Sequence, residues 1–112
     1  MSNRAPSVNR VMLGGNVVKD AEVHHVGENL TSITRITVAN NQSFKDKEGK
    51  WQELTTYVDV EVWGNTAEKV AEKGKKGVPV LIEGYLRQSR WDDKEGKSHT
   101  RTFVRADRVY FL

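Results

Sequence analysis

Five runs rich in β-branched residues flank a single helical segment, and that segment falls after the third run. The runs are Val8 to Val18 (VNRVMLGGNVV), Leu30 to Asn41 (LTSITRITVANN), Gln52 to Trp63, Val78 to Arg87 (VPVLIEGYLR) and Thr100 to Leu112 (TRTFVRADRVYFL). The helical segment, NTAEKVAEKG, has Asn65 as a cap with Glu68 three residues on, an apolar stripe of Ala67, Val70 and Ala71, and Gly74 as a stop. Strands in the order β-β-β-α-β-β match an OB-fold, an all-β, five-stranded Greek-key barrel with one short helix between its third and fourth strands. Another small β-barrel satisfies the same order. Gly14-Gly15 predicts a bulge or sharp bend inside the first strand, and Pro79 predicts an edge position for the start of the fourth.

The third run asks for more than a fold. In TTYVDVEVWG, residues 55–64, Val58, Val60 and Val62 face one way while Tyr57, Asp59, Glu61 and Trp63 face the other. The valines suit a core, so the opposite face is the wet one, and it carries two large rings. Two further segments share the pattern aromatic-x-Asp-Lys-Glu-Gly-Lys: Phe44 to Lys50 and Trp91 to Lys97. Both fall between strands. Their Lys-Glu-Gly-Lys portion suits a charged turn with glycine at positive φ, but a turn does not require the ring at its base.

Phe44, Tyr57, Trp63 and Trp91, which Trp51 and Tyr85 could join, form a set of π-faces that can grip single-stranded nucleic acid without reading its sequence. Lys45, Lys47 and Lys50, then Arg87, Arg90, Lys94 and Lys97, lie close to these rings in the chain and can meet phosphates. No basic amphipathic helix is present to enter a duplex groove. Taken singly, each ring also suits an ordinary core or edge position. Asp59 and Glu61 would repel phosphates and are expected to pair with Arg or Lys on neighbouring strands. As a lone i, i+2 pair they are a weak nuclease signal. His24-His25 face opposite sides of a strand and cannot readily share a metal, and His99 reads as a surface residue. No catalytic spacing or nucleotide fingerprint appears, so a binding protein with no cofactor and no metal is expected.

Composition constrains the rest. The 112 residues allow one domain, and 18 Lys+Arg against 15 Asp+Glu give a net charge of +3, a slight bias toward polyanions. The chain has no cysteine, no apolar run long enough for a membrane span and no signal-peptide core at MSNRAPSVNR, so a reducing, cytoplasmic compartment is expected.

The segments VNRVMLGGNVVKDAEV, ITVANNQSFKDK, TTYVDVEVWGNTAE and GVPVLIEGYLRQSRW, with the closing strand, resemble the bacterial-type single-stranded DNA-binding proteins (SSB) from about Val8 to Leu112. The resemblance implies an OB-fold homotetramer that wraps single-stranded DNA in replication, recombination and repair. It puts stacking at Phe44, Tyr57, Trp63 and Trp91, and backbone contacts at Arg10, Lys47, Lys76, Arg87 and Arg90. Phe44 and Tyr57 stand where many members have Trp, and Trp63 where many have Phe. Members usually continue into a flexible linker and an acidic tip that docks replication and repair enzymes. This chain stops at Leu112, so the expectation is one DNA-binding domain over 1–112 without that tail, and such partners only if a tail exists outside the chain. An OB-fold accessory factor and an RNA-binding module remain rival readings.

Overall fold

The computed structural model describes residues 4–112. Six strands and one helix follow in the order β1 (Val11–Val17), β2 (Glu22–Val26), β3 (Thr31–Lys45), β4 (Trp51–Trp63), α1 (Asn65–Lys73), β5 (Pro79–Asp92) and β6 (Ser98–Phe111). The sheet runs β1-β5-β6-β4-β3, and a further β1–β3 pairing closes it into a five-stranded barrel. Every ladder is antiparallel except β4–β6, which is parallel. This is the OB-fold expected from the element order.

Alternation within the strands makes the core. Val60 and Val62 of β4 are buried with Ile36 and Val38 of β3, Val80 and Ile82 of β5, and Val104 of β6, as the pattern of residues 55–64 predicts. Each such side chain contributes about 1.5–3 kcal/mol by leaving water. Helix α1 adds Ala67 and Val70 to this core, and the buried Thr34 hydroxyl donates to the Ala67 carbonyl at 2.7 Å.

The barrel closes where β1 leaves β5 and joins β3, with Asn16 and Val17 opposite Ala39 and Val38. A Cβ at Gly15 would stand 2.3 Å from the Ala39 carbonyl oxygen, so only glycine lets β3 approach there. The β1–β5 register runs unbroken through Gly14 and Gly15, so Gly15 marks a close approach and the pair forms no bulge. Upstream, Asn9 continues the ladder with its side chain: its amide donates to the Leu86 carbonyl (3.0 Å) and its oxygen accepts from the Leu86 N–H (2.8 Å).

Several expectations need correction. β2 (EVHHV) is an additional strand, fully exposed, paired to the start of β3; with no apolar alternation it leaves no strand signal. Pro79 opens β5, but β5 lies between β1 and β6 and is no edge; as first residue its missing N–H costs the ladder nothing. Gly64 rather than Asn65 caps the helix and has no side chain to make a cap bond, and Glu68 instead accepts from the Ser32 hydroxyl at 3.1 Å.

The segments expected as loops are instead two-stranded ribbons. The β3–β4 register runs unbroken from Ile33↔Trp63 to Lys45↔Trp51, and the β5–β6 ladder reaches Asp92↔Ser98. Two β-hairpin fingers therefore project from the barrel. They raise the radius of gyration to 17.1 Å, against about 13 Å for a compact chain of this length.

Candidate nucleic-acid interface

The outer face of the sheet can be followed residue by residue through the ladders. Arg35 on β3 lies opposite Glu61 on β4, Glu61 opposite Arg105 on β6, and Arg105 opposite Tyr85 on β5. Strand alternation then puts Tyr57, Asp59 and Trp63 of β4, Arg101 and Phe103 of β6, and Arg87 and Trp91 of β5 on that same face. Three of the four expected rings share one surface.

Their exposure differs. Tyr57 is 67% exposed, because its partner across the ladder is only Ala39, and Trp91 is 48% exposed. Trp63 is half-buried: the Arg105 guanidinium lies 4.3 Å from its ring centroid and its indole N–H donates to Glu61 Oε1 at 2.6 Å. Phe44 does not join the set. It lies opposite Gln52, on the side of the first finger that continues into the core, although beyond the barrel that side is open and the ring is 47% exposed. Trp51 lies on the Tyr57 side with Lys45 Nζ 5.2 Å from its ring.

The carboxylates on this face are paired as expected. Glu61, nearly buried, accepts from Arg35 Nε at 3.2 Å as well as from Trp63, which is what a desolvated carboxylate requires. Asp59 accepts from the Thr37 hydroxyl at 3.0 Å and has Arg101 Nε at 3.9 Å. Arg101 also lies over the buried Phe103 ring, 4.8 Å from its centroid. A groove of about 240 Å³, lined by Lys19, His24, Arg35, Asp59 and Arg101, runs beside this row. His24 enters it while His25, one residue on, faces away. Among the described residues no three His, Cys, Asp or Glu side chains gather as a metal site.

The expected cations are spread more widely. Arg87 is exposed on the outer face opposite Phe103, and Arg90, opposite Thr100, is exposed on the reverse side of the second finger. Lys47 lies exposed at the tip of the first finger. Lys76 follows the helix, its backbone N–H bound to Asp20 at 2.8 Å. Arg10 is engaged by Asp107 at 3.0 Å.

Both fingers end in the same turn. The Asp46 carboxylate accepts from the N–H groups of Glu48 and Lys50, and the Asp93 carboxylate from those of Glu95 and Lys97, all at 2.9 Å. Gly49 and Gly96 take φ of 79° and 81°. The Lys50 N–H is the main cause holding Asp46 below the usual carboxylate range, and His99 followed by the Lys97 N–H does so for Asp93.

Sequence reasoning missed Arg35, Arg101, Arg105 and His99. A signal for two of them exists in TRTFVRADRV, where Arg101 and Arg105 alternate with the core residues Val104 and Ala106. Arg35 could have been found only from the register that sets it opposite Glu61, and His99 only from the length of the second finger.

Comparison with known proteins gives consistent relatives. Single-stranded DNA-binding protein 2 of Chlorobaculum tepidum is 32% identical over 107 residues, 96% of this chain and 72% of that protein. The single-stranded DNA-binding protein of Deinococcus radiodurans is 34% identical over 106 residues, 95% of this chain but 35% of that protein. The chain thus spans between about a third and three quarters of these relatives' length.

Among solved structures, a deletion mutant of the single-stranded DNA binding protein from Thermus aquaticus superposes with a TM-score of 0.82 at 25% identity, over 94% of this chain and 50% of that one. A Plasmodium falciparum SSB complex with ssDNA gives 0.84 at 18% identity, over 98% and 99% of the two chains, a likeness of fold alone. The family model that matches, over residues 8–112, is that of the single-strand binding proteins, and the chain belongs to that family.

Proposed function

We propose that this chain binds and protects single-stranded DNA without reading its sequence, as one DNA-binding domain. The observation that carries the reading is the outer sheet face, where Tyr57 and Trp91 stand open among Arg87, Arg101 and Arg105. Bases stack on the rings, Trp63 adding a smaller area, and phosphates meet the guanidiniums and the finger lysines. Phe44 takes a base on the other side of the first finger, so the strand passes around that finger rather than along one plane. Lys47, Lys76, Arg87, Arg90 and, once released from Asp107, Arg10 extend the cationic path. Such a protein serves replication, recombination and repair, in the cytoplasm where the nucleoid lies.

The test is titration of tryptophan fluorescence with oligo-dT, followed by competition with a blunt duplex of the same length. Quenching by oligo-dT, with the duplex competing at least tenfold more weakly, is expected. Equal competition would overturn the reading, and a preference for oligo-rU would point to RNA instead.

Affinity for oligo-dT will fall with salt, with a log–log slope of roughly −0.7 per phosphate neutralised. Arg87→Gln should make the slope shallower by about that amount. An unchanged slope would remove Arg87 from the contact set.

Family membership also supports assembly into a homotetramer, and light scattering should give a mass near four times 12.7 kDa. A monomer at micromolar concentration would leave the DNA face intact and remove wrapping around a tetramer.

A further inference from the structure

We propose that His99 is a positioning residue that holds the Trp91 platform, and that it is one of two equivalent devices, one in each finger. The proposal rests on the reading that Trp91 stacks on a base. Trp91 and His99 are directly opposite in the β5–β6 ladder. Their ring centroids are 5.4 Å apart with planes 22° from parallel, so the imidazole backs one indole face and leaves the other free. The imidazole is itself held, with Nε2 2.8 Å from Asp93 Oδ2. Asp93 is in turn fixed by the two turn N–H groups on its other oxygen. Order therefore passes from the backbone turn to the carboxylate, from the carboxylate to the imidazole, and from the imidazole to the indole.

The first finger repeats the arrangement with different side chains. Asp46 binds its turn in the same way, and its second oxygen accepts from Gln52 Nε2 at 3.1 Å. Gln52 is directly opposite Phe44 in the β3–β4 ladder. In each finger the ring stands two residues before the turn aspartate, and the residue six after that aspartate both binds it and faces the ring. A turn needs only the aspartate and the glycine. The cross-strand residue adds a link from turn to ring, and a flat polar side chain occupies it both times, an amide opposite Phe44 and an imidazole stacked on Trp91.

The physical benefit is lower entropy cost on binding. A ring on a projecting ribbon has two χ angles to order when a base arrives, and a ring already held against a fixed partner has less freedom to lose. The imidazole also presents the indole with one face covered, so a base can stack only from the other side.

The test uses Trp51→Phe/Trp63→Phe protein, in which Trp91 is the only tryptophan. In that background His99→Ala should speed the decay of Trp91 fluorescence anisotropy, raise its quenching by acrylamide and weaken oligo-dT binding about two- to tenfold, the range of an aromatic pair. His99→Gln keeps a flat polar side chain able to bond Asp93, as Gln52 bonds Asp46 in the first finger, and should restore most of the affinity and slow the anisotropy decay again. Unchanged anisotropy and affinity in His99→Ala, while Trp91→Ala weakens binding, would overturn the positioning role alone. Should Trp91→Ala itself bind normally, the stacking reading fails and the inference falls with it. Loss of affinity in His99→Ala without rescue by His99→Gln would assign His99 a contact of its own with DNA and would also overturn the proposal.

Discussion

Tyr57→Ala combined with Trp91→Ala will weaken binding to oligo-dT by about 2–6 kcal/mol, taking 1–3 kcal/mol for each stacked base. In affinity this is roughly 30-fold to more than 10,000-fold, since about 1.4 kcal/mol is tenfold. These two rings are chosen because the outer face leaves them open. Tyr57 has only Ala39 across the ladder, and Trp91 is covered on one face alone. Trp63 carries a guanidinium on its ring and an indole N–H already committed to Glu61, so a base gains less new contact there.

Neither alanine should disturb the fold, because both side chains lie outside the core. The measurement is anisotropy of a labelled oligo-dT at fixed salt, with the salt dependence recorded for parent and variant. Rings and cations act separately in this scheme, so affinity should fall while the log–log slope keeps its parent value. A loss below about threefold would mean that the strand runs elsewhere, and a slope that collapses with the rings would mean that the arginines are ordered by them.

The expectation for Tyr57 was available before the structure because β4 alternates strictly. Three valines on one side and large polar or aromatic residues on the other define a core face and a wet face at once. The place of Phe44 was not legible in the same way. Its face depends on whether the β3–β4 register stays unbroken for 13 paired positions, and nothing local in ITVANNQSFKDK excludes a bulge that would turn the ring over.

The extension of both fingers was hidden for a related reason. QSFK in the first finger and QSRWD in the second are too polar to read as strand, yet they pair because the Asp46 and Asp93 turns hold their ends in register. The partners of Asp59 and Glu61 were predictable in kind but not in identity. Arg35 and Arg101 meet them only through ladder neighbours, one antiparallel and one parallel, and that information lies in topology rather than in spacing.

Gly84→Ala will destabilise the protein by about 3 kcal/mol or more, at or above the upper end of ordinary overpacking. Gly84 does not have a positive φ, so the reason is space and not backbone conformation. The β5–β6 register shifts between Glu83 and Gly84, and there β6 backbone presses on β5: a Cβ would meet the Arg105 carbonyl oxygen at 2.1 Å and Ala106 Cα at 2.9 Å. Backbone cannot rotate aside as a side chain can, and β1 already pairs with Gly84 through Val11. Relief requires moving β6, which carries Val104 and Ala106 into the core and Arg105 onto Trp63.

The expected fall in Tm is more than about 10 °C for a domain of this size. Gly96→Ala is the matching control. Its Cβ would meet nothing within 4 Å, so only its φ of 81° opposes the substitution, at about 1–2 kcal/mol. The ranking of the two variants separates crowding from conformation. If Gly84→Ala melts within a few degrees of the parent while Gly96→Ala falls further, β6 can yield at the bulge, and the close approach is not what sets Arg105 over Trp63.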